Sequence, residues 1–270
     1  MIGLTGLDTN RGLSRRDALL ATLAATPLAC RRPERRSAAP AGGGGDGAGW
    51  GGLDVVRVSG MREDERGGTA VVVLHGWGAA GDDLVPLAQA LKRPGVRFFV
   101  PAGPLPERGG GRAWWHLDPD TRPPHAYSDQ LDAGFRPTAQ VVASRAKVQA
   151  LLGTIVERYA PTTLALMGFS QGAMLSIDLA LAAAPAVQKV VAMSGVLLMD
   201  SVAALRAARA AKPAFLLSHG RQDPMVPFAG GARAKELLEA HGYAVTFRPF
   251  DGGHEIPSPV LADVERFLFG

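Results

Sequence analysis

From Leu53 onward the apolar residues follow two alternating spacings. Short β-branched runs bounded by Gly or Pro fall at Val55–Val58, Ala70–Leu74, Arg97–Val100, Leu164–Met167, Val190–Met193, Phe215–Leu217 and Val245–Arg248. Between them, apolar residues recur three and four apart, the spacing of one helix face, over Asp83–Leu91, Thr138–Tyr159, Gln171–Ala183, Ser201–Ala210, Gly231–His241 and Pro259–Leu268. Several of the short runs are apolar on both faces, as strands must be when helices cover both sides of a sheet. The alternation predicts one α/β domain over residues 53–270, with a mainly parallel central sheet and helices on both faces. No internal repeat is present.

Residues 102–137 break the pattern. They are rich in Gly, Pro, Arg and aromatic residues and have no period. A segment this long without regular structure is usually functional in a compact domain. It follows the carboxyl end of a predicted strand, where open α/β sheets bind ligands. It is therefore expected to cover a substrate.

The first 52 residues cannot join that domain. Residues 31–52 pass from Arg/Pro to Ala/Pro to a glycine run, a composition that buries no core and reads as a flexible linker, with Trp50 as the first residue expected to touch the domain. Ahead of it, Ser14-Arg15-Arg16 and the apolar stretch Ala18–Leu28 end at Cys30. A paired arginine, a short apolar run and a small residue before a cleavage point are the parts of an export signal, predicted over residues 1–30. The run is too short to span a bilayer, which takes ~20 apolar residues. The start resembles a twin-arginine signal, with Ala18 where Phe is usual. The end resembles a lipoprotein box, with Pro27 where Leu is usual, which makes Cys30 a candidate for lipidation and membrane attachment. The chain is accordingly expected to be exported, either periplasmic or anchored to a membrane by acyl chains.

Charge and cysteine content remove other classes. The formal net charge is +4, but seven arginines against four acids give residues 1–52 a net +3. The domain is thus close to neutral and carries no electrostatic footprint for nucleic acid. Cys30 is the single cysteine, so no intramolecular disulfide and no thiolate metal cluster can form.

The sharpest chemical signal is Gly168-Phe169-Ser170-Gln171-Gly172, set between a predicted strand and a predicted helix. A chain that reverses there within a few residues leaves the serine hydroxyl exposed at the helix N-terminus, where unpaired N–H groups favour developing negative charge. The flanking glycines let strand and helix approach without a Cβ clash. Ser170 is therefore the candidate nucleophile. A serine hydroxyl needs a base, and the base needs an orienting acid. On such strand–serine–helix elbows the partners follow in the order acid, then histidine. Asp223 lies just past a strand end in Ser218-His219-Gly220-Arg221-Gln222-Asp223-Pro224, and His254 sits in the glycine turn Asp251-Gly252-Gly253-His254 after the last strand. They are the expected acid and base, with Asp200 and Asp251 as alternative acids. Among the other histidines, His241 is expected at a helix end and His219 buried beneath the Asp223 loop. His116 and His125 are placed in the 102–137 segment, as surface residues or substrate contacts. Leu74-His75-Gly76-Trp77-Gly78 supplies a glycine loop after a strand, so an oxyanion hole is expected from the N–H of Gln171 and that of Trp77, with Gly76 as the alternative.

Taken in order, Leu-His-Gly-Trp-Gly at 74–78, Gly-Phe-Ser-Gln-Gly at 168–172, His-Gly-Arg-Gln-Asp-Pro-Met-Val-Pro at 219–227 and Gly-Gly-His-Glu-Ile-Pro at 252–257 resemble the carboxylesterase/phospholipase family of α/β-hydrolases, which includes the acyl-protein thioesterases. The resemblance covers residues 53–270. It implies an α/β-hydrolase fold without a large helical lid, and Ser170, Asp223 and His254 as the catalytic residues. It further implies Trp77 and Gln171 at the oxyanion hole, and neither metal nor organic cofactor. Trp114 and Trp115 fall where similar proteins carry aromatic residues near the acyl pocket, which makes them candidate substrate-binding residues. The expected activity is hydrolysis of carboxylic esters, or thioesters, on a small-molecule or lipid substrate. A peptidase or polyester depolymerase on the same fold, and a non-catalytic surface lipoprotein, are the rival readings.

Overall fold

The computed structural model describes residues 50–117, 138–182, 187–206 and 212–270. The segment read as an export signal, with Cys30, most of the expected linker, His125 and the side chain of Asp200 lie outside the described residues.

Seven strands form one sheet: β1 (Val55–Ser59), β2 (Thr69–Leu74), β3 (Val96–Pro101), β6 (Thr163–Phe169), β7 (Lys189–Met193), β8 (Ala214–Gly220) and β9 (Val245–Phe250). Their order across the sheet is β1-β3-β2-β6-β7-β8-β9. Only the edge strand β1 is antiparallel, pairing with β3; every other neighbouring pair is parallel. The helices are α1 (Val85–Ala90), α2 (Ala139–Tyr159), α3 (Gln171–Leu181), α4 (Met199–Leu205), α5 (Phe228–Ala240) and α6 (Ser258–Phe269).

Side chains alternate along each strand between two cores, as the period of two requires. Ala70, Val72, Leu74, Leu164, Leu166, Val190, Ala192, Phe215 and Leu217 face the core shared with α2, α3, α4 and α5. Val71, Val73, Ala165, Met167, Val191, Met193 and Leu216 face the opposite core, closed by α1 and α6. Helix α3 is buried along its whole length. An ion pair secures it: Asp178 on α3 accepts hydrogen bonds from Arg145 Nε on α2 at 2.6 Å and from Ser201 Oγ on α4 at 2.9 Å.

Two strands run further toward the site than the apolar pattern indicated. β6 continues through Gly168 and Phe169 because its ladder with β7 does, to Phe169 opposite Met193. β8 continues to Gly220 opposite Phe250. Glycine carries no apolar signal, and main-chain pairing needs none. The chain also turns direction across the sheet here. β2 is followed by β3 on one side, but its other neighbour is β6. This topological switch point, at the carboxyl ends of β2 and β6, is where ligands sit in such sheets.

The segment after β3 is not irregular throughout. β4 (Leu105–Pro106) and β5 (Arg112–Ala113) form a small antiparallel hairpin, turned by Arg108–Gly110 with Gly109 at φ 79° and Gly110 at φ 87°. Arg112 also bridges to Ala79, so the hairpin is stitched to the loop that follows β2.

Candidate active site

Ser170 stands between β6 and α3 with φ 53° and ψ −118°, a left-handed conformation. The backbone is held there from two sides. Its N–H donates to the Met193 carbonyl of β7 at 2.8 Å, and its carbonyl accepts from Ala173 and Met174 at 3.0 and 3.1 Å. The two motif glycines allow the reversal: a Cβ on Gly168 would lie 2.3 Å from the Gly172 oxygen, and one on Gly172 would lie 2.1 Å from the Leu74 oxygen. Either would separate α3 from the strands beneath it.

The acid and base loops meet two strands away. A Cβ on Gly220 would lie 2.1 Å from the Gly253 oxygen, so the ends of β8 and β9 touch backbone to backbone. Arg221 N–H donates to the Phe250 carbonyl at 2.9 Å and Gln222 N–H to Gly252 at 3.0 Å. This contact sets His254 Nδ1 2.7 Å from Asp223 Oδ2. The other carboxylate oxygen, Oδ1, accepts from the Met225 and Val226 N–H groups, each at 2.8 Å. Burial works against ionisation of Asp223, but hydrogen bonds from His219, His254 and the Val226 N–H outweigh it and hold the carboxyl well below the usual carboxylate range. A carboxylate fixed in this way accepts from Nδ1–H, which leaves Nε2 of His254 with a free lone pair. The Phe169 ring, one residue before Ser170, packs against the His254 imidazole with centroids 4.7 Å apart.

His219 is buried under the same loop. Its Nε2–H donates to the Val226 carbonyl at 2.8 Å and lies 3.4 Å from Asp223 Oδ2. Asp251, the alternative acid, points elsewhere: its side chain is 88% exposed and faces Arg221 at 3.6 Å. His241 caps α5, with Nδ1 donating to the Leu237 carbonyl at 2.8 Å.

The loop after β2 lies beside the serine. A Cβ on Gly76 would sit 3.4 Å from the Ser170 Cβ. His75, beneath the loop, is wholly buried and makes two ring hydrogen bonds of opposite sense. Nδ1–H donates to the Gly76 carbonyl at 2.7 Å, and Nε2 accepts from the Gly103 N–H at 2.8 Å. Burial pushes this imidazole down to about 4, against the pull of the Gly76 carbonyl and with help from Arg112. The next residue, Trp77, is 42% exposed. Gln171 follows the nucleophile at the start of α3, so its main chain stands at the positive end of a helix.

The two tryptophans read from the sequence as substrate-binding residues are placed differently. Trp114 and Trp115 are 0% and 1% exposed. The Trp114 indole donates to the His75 carbonyl at 3.0 Å, and its carbonyl accepts from Ser144 Oγ at 2.5 Å. A pair of large rings following β5 is drawn into the core shared with α2 and α3, where it braces the loop above it. Two functional side chains were not read from the sequence. Gln171 Oε1 accepts from the Trp114 N–H at 2.8 Å and its Nε2 donates to the Trp115 carbonyl at 2.7 Å, so the residue after the nucleophile also ties down that strand. Glu107 binds the Trp77 indole at 2.9 Å from the β4–β5 hairpin. It is an isolated acid in an aperiodic segment, and no spacing marks it. Among the described residues no group of three or more His, Cys, Asp or Glu could hold a metal ion, and no helix is long and apolar enough to cross a membrane.

The chain resembles known proteins in sequence and fold. The phospholipase/carboxylesterase family model matches residues 60–269. An acyl-protein thioesterase 1 from Kluyveromyces lactis is 26% identical over 238 residues, covering 80% of this chain and 96% of that protein. An acyl-protein thioesterase 1 from Gibberella zeae is 32% identical over 114 residues, covering 40% of this chain, which spans about half (48%) of that relative's length. Among solved structures, esterase PE8 is 27% identical with a TM-score of 0.65, covering 80% of this chain and 97% of that one. A carboxylesterase from Mesorhizobium loti shares the fold at 22% identity and a TM-score of 0.63, covering 81% and 95% of the two chains. With its parallel sheet, its serine at a strand–helix elbow and this match over most of its length, the chain belongs to the phospholipase/carboxylesterase family, hydrolases of the esterase type on the α/β-hydrolase fold.

Proposed function

We propose that this chain is a serine esterase that cleaves carboxylic esters, with thioesters as the related class, through Ser170, His254 and Asp223. The observation that carries the reading is the 2.7 Å pairing of His254 Nδ1 with an Asp223 carboxylate whose other oxygen is locked by two main-chain N–H groups. That arrangement fixes one imidazole tautomer and directs the basic Nε2 outward, which general-base catalysis at a serine requires. Nε2 takes the Ser170 proton as Oγ attacks the carbonyl carbon. The oxyanion is met by the main-chain N–H groups of Trp77 and Gln171. The imidazolium, balanced by Asp223, then gives its proton to the leaving alcohol or thiol. Water enters, loses a proton to the same nitrogen, and releases the acid and the free serine.

The test uses the purified protein, a fluorophosphonate probe and p-nitrophenyl esters of increasing chain length. Labelling and turnover should both vanish in Ser170→Ala, a loss on the order of 10⁶-fold in kcat for a triad nucleophile. Asp223→Asn should lose on the order of 10⁴-fold by favouring the wrong tautomer. A folded wild-type protein that neither labels nor hydrolyses any ester of the series would overturn the proposal.

A further inference from the structure

Residues 103–114 grip the oxyanion loop from both sides. On the inner side, the Gly103 N–H and the Trp114 indole hold His75. Along the edge, Gly78 N–H donates to the Arg112 carbonyl at 2.9 Å and Arg112 N–H to the Ala79 carbonyl at 2.7 Å. On the outer side the holding contact among the described residues is a side-chain one: Trp77 Nε1–H donates to Glu107 Oε1 at 2.9 Å. The same oxygen lies 2.6 Å from His116 Nδ1, and the His116 main-chain N–H donates to Gln140 on α2 at 2.9 Å.

Trp77 needs such a tether more than its neighbours do. It lies between two glycines, whose backbone is held by hydrogen bonds to the Gly76 carbonyl and from the Gly78 N–H, but neither of these bonds reaches the indole ring. Its ring is 42% exposed, whereas the chain's other three tryptophans are at most 7% exposed and fixed by packing. The Glu107 side chain is only 14% exposed, so the acceptor is held in place although the indole it meets lies at the surface.

We propose that Glu107 is a positioning residue for the oxyanion hole, acting through the Trp77 indole. The carboxylate, itself braced by His116 and the hairpin, fixes the ring from outside, while His75 Nδ1–H holds the Gly76 carbonyl of the same peptide plane from inside; together they set the direction of the Trp77 main-chain N–H. The inference rests on the esterase reading and on Trp77 as an oxyanion donor. Preorganised donors matter only where charge develops, so the contribution belongs to the transition state and not to substrate binding.

The full-length protein and p-nitrophenyl acetate, too short to depend on an acyl pocket, provide the test. Ser170→Ala abolishing turnover secures the underlying reading; turnover that persists in it defeats that reading and leaves the role of Glu107 without a reaction to act on. Given that result, Glu107→Ala should lower kcat about tenfold, a fraction of the 10²–10³-fold that follows complete loss of one donor, with KM unchanged. Glu107→Gln, whose amide oxygen still accepts from the indole, should recover most of the rate. Trp77→Phe should match Glu107→Ala, and the double variant should be no worse than either. Tryptophan emission adds a readout independent of turnover: the Trp77 contribution, isolated by difference from Trp77→Phe, should be more readily quenched by acrylamide in Glu107→Ala. An unchanged kcat, a change confined to KM, or additive losses in the double variant would overturn the proposal.

Discussion

At the scale of single residues, two buried groups close to the oxyanion loop titrate in opposite senses. His75 is pushed by burial from an ordinary value of 6.5 down to about 4. The folded protein therefore refuses a proton that the unfolded chain accepts, and stability falls as pH drops from 6.5 toward 4. Asp83, at the entry to α1, is pushed by burial from 3.8 up to about 6, and one of its carboxylate oxygens has no hydrogen-bond partner among the described residues. Here the folded protein keeps a proton that the unfolded chain releases, so stability falls as pH rises from 3.8 through 6. Between pH 4 and 6 the two slopes cancel in part. Asp83→Asn removes one of them. Urea unfolding of that variant should lose stability with falling pH more steeply than the wild type over this window, by up to about 1.4 kcal/mol per pH unit. Parallel profiles would show that Asp83 titrates normally.

The same scale shows what could be read in advance. Ser170, Asp223 and His254 stood out because glycine flanks and position after a strand are sequence properties, and the structure joins the last two at 2.7 Å. Glu107 was not legible, because its importance comes from an indole thirty residues away that only the folded chain brings to it. The burial of Trp114 and Trp115 in the core was not legible for a related reason. An aromatic pair after a loop has the same composition whether it lines a pocket or fills a core, and only burial separates the two.

At the scale of elements, the close approach of β8 to the turn after β9 joins acid to base. Gly220→Ala places a methyl group 2.1 Å from the Gly253 oxygen and 2.5 Å from that of Gly252, neither of which can yield without moving the His254 turn. The variant should lose about 1–3 kcal/mol of stability through overpacking, and up to about 100-fold in kcat through misplacement of the imidazole. Gly153→Ala is the matching control: it lies within α2 with nothing near its Cβ position, and it should be stabilised by up to about 1 kcal/mol. Thermal melts and ester turnover on the two variants decide the matter, and equal behaviour would refute the account. The elements with clear spacing were legible, seven strands among them. The β4–β5 hairpin was not, because two-residue strands containing Pro106 and Arg112 show no alternation and are defined by partners. Nor could spacing tell that β1 runs antiparallel, since alternation is blind to direction.

At the scale of the whole molecule, the order of strands decides where chemistry happens. The glycine loop with Trp77 and the serine elbow at Ser170 follow β2 and β6, neighbours at the switch point, although about a hundred residues separate them along the chain. Asp223 and His254 follow β8 and β9. Apolar patterning predicted a mainly parallel sheet but not this order, which depends on pairings between distant segments.

The left-handed backbone at Ser170 carries one more consequence, for the trade between stability and activity. At φ 53° and ψ −118° a side chain is disfavoured, whereas glycine occupies the mirror image of ordinary extended backbone. A conformation of this kind costs on the order of 1–3 kcal/mol in a residue with a Cβ, offset in part by the greater unfolded-state entropy of glycine. Ser170→Gly and Ser170→Ala are both expected to be inactive, yet the glycine variant should be the more stable of the two, by about 1 kcal/mol. A native fold that becomes more stable when its nucleophile gives way to glycine would show that thermostability has been relinquished at the single position where the hydroxyl is needed.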